Sequence, residues 1–145
     1  MPTGRPAARN FRDLVVWQKA HELVLAVYRF TESFPEREKY GLAHQMRRAA
    51  VSLPANIAEG FGKRSKAEEA RFLNIAEGSL EECRYYCILA HDLGYGQTES
   101  LMDTLEEASR LLNAYAGAIL ASGSPVTPPQ PVDLLRDSYH VFGPG

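Results

Sequence analysis

Three groups of residues have the types and spacing to do chemistry. Cys83, Cys87 and His91 recur at four-residue intervals, so a helix puts them on one face. Thiolates and imidazole bind zinc. Three donors on one helix are strung along ~12 Å of rise, however, and do not converge on a tetrahedral point. Buried thiols in a helical core are the expected reading, with no metal and no cofactor. The second group is basic. Lys63, Arg64 and Lys66 crowd a short stretch just before a helix start, and Arg47 and Arg71 extend it. Cations beside free helix N–H groups favour an anion such as phosphate, although surface loops also collect Lys and Arg. Phe61 is the one obvious stacking candidate there. The third group is a polar stripe, Gln45, Arg48, Ser52, Asn56, Glu59 and Lys63, recurring every three or four residues. Ala49, Ala50, Ala55, Ala58 and Gly60 flank it, and Glu77, Gly78 and Ser79 repeat the combination later. Small residues let another backbone come close. The preferred reading is therefore an interface, between helices or subunits, in which Gln45, Arg48, Asn56, Glu59 and Glu77 take part and the charges pair. A solvated face is the alternative.

Other chemistries lack their residues. No histidine has Glu three positions before it, as di-iron bundles require. No phosphate-cradling glycine loop and no nucleophile elbow occurs. No catalytic activity is expected.

Helices must position these groups, and the pattern predicts four. The first covers about 14–34, capped by Asp13 and ended by Pro35, with Val16, Ala20, Leu23, Val24, Val27 and Phe30 at helical spacing. The second covers about 38–60, with Leu42, Met46, Ala49, Leu53 and Ile57 on its apolar face and a kink expected near Pro54. Ser65 and Glu68 read as a capping box opening a third helix to about 92. Its inward residues are Phe72, Ile75, Ala76, Leu80, Cys83, Cys87 and Ala90. Thr98 caps a fourth, to about 121, lined by Leu101, Leu105, Ala108, Leu112, Tyr115 and Ile119. No strand pattern occurs. Long helices with short loops make an all-α, antiparallel up-down four-helix bundle over 11–121. A basic arm expected to be disordered (1–10) precedes it, and a proline-rich tail (122–145) follows. Within the tail, VDLLRDSYHVF (132–142) reads either as disordered or as a docking segment.

Composition bounds the rest. With 145 residues, 45% hydrophobic and 23% charged, the chain suits one soluble domain with a real core. No apolar run approaches the ~20 residues of a membrane span, and the N-terminus has no secretory pattern. Two cysteines fit free thiols in a reducing compartment, so the expected location is the cytoplasm. Net charge is −2, which argues against a simple nucleic-acid binder, but its distribution is uneven. Residues 1–71 hold 13 of the 16 Lys and Arg and 8 of the 18 Asp and Glu. Such asymmetry can present a basic face to an anionic partner, or let basic and acidic faces of neighbouring subunits meet.

The segments FRDLVVWQKAHELV (11–24), FPEREKYGLAHQMRRAAVSLPANIAEGFGKRS (34–65) and RFLNIAEGSLEE (71–82) carry a resemblance. They are similar to the four-helix-bundle proteins encoded in intervening sequences of bacterial 23S rRNA genes, over about residues 11–121. That family resembles in fold the accessory protein of diversity-generating retroelements, a homopentameric barrel that binds a reverse transcriptase and nucleic acid. The resemblance implies a homopentameric ring associated with RNA or DNA. The contacts expected for nucleic acid are Arg47, Arg48, Lys63, Arg64, Lys66 and Arg71. The competing expectation is a protein–protein scaffold or accessory subunit that recruits a partner such as a reverse transcriptase. The proline-rich tail has no counterpart in the family pattern.

Overall fold

A computed structural model describes residues 7–122, and within them the chain is a four-helix bundle with no strand. The helices are α1 (Val15–Thr31), α2 (Leu42–Phe61), α3 (Lys66–Asp92) and α4 (Glu99–Ala121). Each touches the next, and α4 closes back on α1, while α1 and α3, and α2 and α4, do not meet. The pair α2 and α3 packs most extensively. Among the described residues no helix is long and apolar enough to cross a membrane. Residues 1–6 of the expected arm and 123–145 of the expected tail lie outside the described residues.

The apolar spacing that predicts each helix also predicts the core. Leu23, Met46, Leu53, Ile57, Leu80, Leu105 and Leu112 are fully buried, as are Cys83 and Cys87. One inward residue is corrected: Ile75 is 41% exposed, because it sits on the flank of α3 while Leu73 and Ala76 take the core.

Helix ends differ from expectation for local reasons. Asp13 does not cap α1. Its carboxylate instead accepts the N–H groups of Arg9 (2.9 Å) and Asn10 (3.3 Å), and Asn10 Oδ1 accepts from Arg12. This reciprocal box closes a 3-10 turn, Phe11–Asp13, and extended Leu14 separates the turn from α1. Arg9 and Asn10, placed in the arm by their composition, are thereby anchored. The α1 helix stops at Thr31, three residues before the expected end, where the Thr31 hydroxyl donates to the Val27 carbonyl (2.8 Å). A second 3-10 turn, Glu36–Glu38, delays α2 until after Gly41. Gly41 carries no side-chain cap, and Glu38 supplies one from outside the helix, accepting the Leu42 N–H at 3.1 Å. The α2 helix runs unbroken through Pro54, whose missing donor removes one bond without ending the helix. Ser65 does cap α3, accepting from the Glu68 N–H (3.1 Å), but the Glu68 carboxylate turns to Arg71, so the box is half built. Thr98 precedes α4 without a side-chain cap bond. Gly94 (φ 76°) ends α3 in the left-handed region, letting the Tyr95 N–H reach back to the Ala90 carbonyl.

Candidate functional site

The close approach of α2 and α3 depends on Gly60. A Cβ there would lie 3.2 Å from the Phe72 Cβ and 3.4 Å from the Glu69 carbonyl, tighter than an ordinary contact, so glycine eases the approach of the two backbones. Further along the same seam, the Ser52 and Ser79 hydroxyls hydrogen-bond at 2.7 Å. The Asn56 amide donates to the Ser52 carbonyl (2.8 Å) and hydroxyl (3.0 Å). The middle of the polar stripe, Ser52 with Asn56, thus lies at the α3 seam within one chain. Arg48 is exposed beside it and its charge reaches Tyr86. Burial, then a hydrogen bond to Glu82, pushes that phenol up to about 12. Gln45 and Glu77 are half-buried, while Glu59 is exposed and lies close enough to Arg71 to act on its charge.

Where the seam ends, the chain turns from α2 into α3 and the basic group collects. Lys63 Nζ stands 5.0 Å from the centre of the Phe72 ring, and the Arg71 guanidinium 4.6 Å from it. Half-buried Phe72, read from the sequence as core, is therefore the aromatic beneath the cations, whereas Phe61 carries no cation contact among the described residues. Its signal was the neighbouring Arg71, a cation next to a ring at the edge of the helix's apolar face. Arg71 also pairs with Glu68 at 3.1 Å; that bond holds the carboxyl below its ordinary range and the guanidinium above its own. Lys66 donates to Ser122 at the end of α4 (2.5 Å), and Arg64 is exposed. Glu68 and Glu69 occupy the first turn of α3 and already complement its positive end. Any anion here is therefore met by side chains, chiefly Lys63 and Arg64, more than by the helix terminus.

The six cations proposed from sequence do not form one patch. Lys63, Arg64, Lys66 and Arg71 meet at the α2–α3 turn. Arg47 and Arg48 lie about 22–24 Å away along α2 at 1.5 Å per residue. Arg47 is committed to the fold: its Nε donates to Thr31 (2.8 Å), and its guanidinium lies 4.7 Å from the Tyr28 ring centre.

The third group is divided as well. Cys83 and Cys87 are free and fully buried, and their mutual contact, with burial, pushes the Cys83 thiol up. His91 is 59% exposed by its side chain and faces Asp92. The three do not converge, and among the described residues no group of three or more His, Cys, Asp or Glu is placed to hold a metal.

Two contacts escaped sequence reading. Tyr95 donates to Glu38 (2.6 Å), tying the α3–α4 turn to the start of α2. Trp17 and His21 stack nearly parallel, ring centres 5.1 Å apart, on the outer side of α1. Their four-residue spacing was the available signal. With these positions fixed, comparison with known proteins gives one finding: a family model described as 23S rRNA-intervening sequence protein matches residues 12–115. No curated protein matches the chain.

Proposed function

Because the chain belongs to the 23S rRNA-intervening sequence protein family, we propose that it is a non-catalytic, self-assembling cytoplasmic protein that binds RNA through the α2–α3 turn. One observation carries the reading: Lys63 and Arg71 stand over the face of Phe72, and Lys63 and its exposed neighbour Arg64 form no ion pair among the described residues. That combination offers a phosphate its charge and an unstacked base its aromatic plane. We also propose antiparallel up-down packing, which sets the starts of α1 and α3 and the ends of α2 and α4 at one end. Lys66 beside Ser122, and Gly60 beside Phe72, favour this arrangement. A homopentameric ring would repeat the turn five times, and linked weak sites gain affinity without new contacts. The net charge of −2 then matters less than the local field at each turn.

The test is RNA binding across a salt series. Removing two phosphate contacts by Lys63→Gln with Arg64→Gln should lower the slope of log affinity against log salt by about 1.4 for a single strand. Arg47→Gln should leave the slope alone. An unchanged slope in the double variant would falsify RNA binding at this turn. The acidic half of the chain favours a second reading, a scaffold that recruits a basic protein such as a reverse transcriptase. Residues 72–122 hold only Arg84 and Arg110 against eight carboxylates. An assembly that ignores RNA but retains such a partner at low salt would replace the first reading with this one.

A further inference from the structure

On its other side α2 leaves a shallow apolar groove of about 280 Å³ against α1. Its walls are Trp17, His21 and Val24 from α1, and its floor is Pro54, Ala55 and Ala58 from α2. The alanines keep the floor low. Val51, also in the groove, is 42% exposed, and Leu25 and Tyr28 continue the apolar surface along α1. Contiguous exposed apolar surface of this kind marks an interaction site. Elsewhere on the bundle, Tyr85 (57% exposed) and Ile88 (47%) stand one turn apart on the outer face of α3. They form a ridge. Because α3 does not touch α1, the ridge cannot fill the groove of its own chain.

We propose that the α3 ridge of one copy seats in the α1–α2 groove of a second copy. Charge favours that occupant over others. Arg12 follows Phe11, which lines the groove, and Arg47 lies over Tyr28 where the apolar surface continues along α1. The ridge is bordered by Glu81 and Asp92, on the same face of α3. The nearby Arg84 is shared between Glu81 and Glu106, which leaves that surface net acidic. Opposite signs meeting across the contact steer association and fix its register. Groove and ridge are different surfaces of one chain, so the contact is head to tail, and such contacts close into rings where the rotation allows. The inference rests on the self-assembly half of the proposed function and names the surfaces that perform it.

The full chain tests it with two surface substitutions, Ala55→Glu in the groove and Ile88→Glu on the ridge, read by light scattering with helicity checked by circular dichroism. Each variant should stay helical and fall in mass to one chain, 16.1 kDa, a fivefold drop from a pentamer. The decisive sample is their equimolar mixture. The Ala55→Glu chain keeps its ridge and the Ile88→Glu chain keeps its groove, so together they form one intact contact and no more. The mixture should reach twice the mass of one chain and stop there. An assembly unaffected by both substitutions overturns the assignment while leaving self-assembly standing, whereas a monomeric parent overturns both. Two monomeric variants that fail to combine also overturn it. If Leu135→Asp in the C-terminal segment deprotects the groove to hydrogen exchange without changing the mass, the occupant is that segment and the proposal fails.

Discussion

The two long sides of α2 are built from similar residues and put to opposite uses. Toward α3, Gly60, Ser52 and Asn56 draw the helices together until a single methyl group at position 60 would press on Phe72. Toward α1, Ala55 and Ala58 sit beside Trp17 and His21 with an open groove above them. Small residues therefore have no single meaning on a helix surface. Where the facing residue is itself small and polar, as Ser79 is to Ser52, or offers only its Cβ and backbone, as Phe72 and Glu69 do to Gly60, they bring the backbones close and the seam seals. Where the facing side chains are large and aromatic, the backbones are held apart and the same small residues floor a cavity.

The largest expected contrast is steric. Gly60→Leu and Ala55→Leu both place a strong helix former in α2. At position 60 the added side chain has only Phe72 and the Glu69 backbone to displace, and overpacking should cost about 1–3 kcal/mol. At position 55, measured in the Ile88→Glu background where no second copy fills the groove, the longer chain points into open space and should change stability by less than about 0.5 kcal/mol. Thermal or urea unfolding of the two variants checks this directly. Equal losses would break the distinction between a sealed and an open side.

A smaller effect probes what seals the α3 side once glycine has allowed the approach. Ser52→Ala removes the partner of buried Ser79 and one acceptor of Asn56, and should cost about 1 kcal/mol. The Ser79 hydroxyl keeps its bond to the Ile75 carbonyl (3.1 Å), so nothing is left unsatisfied. The double variant Ser52→Ala with Ser79→Ala should therefore cost less than the two singles added, since both singles delete the same bond. Strict additivity in a denaturant cycle would mean the hydroxyls do not act across the seam.

The distinction between the sides of α2 was half legible in the sequence. Helical periodicity placed the four helices and nearly all the core, because burial and spacing are both local properties of the pattern. For the polar stripe the sequence leaves open whether it faces a helix or a subunit; the fold joins Ser52 to Ser79 of α3, while Arg48 and Glu59 stay exposed. The groove was not read, because it arises from two helices each contributing an outer side, and neither side is unusual alone. The cation set was drawn too wide for a similar reason. Arg47 and Lys63 both belong to α2 or its end, but sequence adjacency to a basic run does not reveal that Arg47 turns back onto Thr31 and Tyr28. Helix ends were missed wherever a residue outside the helix supplied the cap, as Glu38 does for Leu42.

That cap yields the smallest of the expected effects, and it acts where both sides of α2 begin. One oxygen of the Glu38 carboxylate holds the first N–H of α2 and the other takes the Tyr95 hydroxyl, so the carboxylate joins the α1–α2 connection to the α3–α4 turn. The Tyr95 bond first, and the Leu42 N–H second, pull its pKa below the ordinary 4.5. A carboxylate whose folded value is depressed contributes stability that is fully present above the unfolded value and lost as pH falls through the folded one. Glu38→Gln keeps the shape and an acceptor but cannot ionise. The wild type should therefore be more stable than Glu38→Gln near pH 6, and that gap should shrink as the pH falls below the ordinary 4.5 and through the depressed folded value. Tyr95→Phe, by deleting the larger cause, should flatten most of the same pH dependence. A gap that stays constant with pH would show that the ionised latch adds nothing to the start of α2, leaving the sealed α3 side to hold the helix alone.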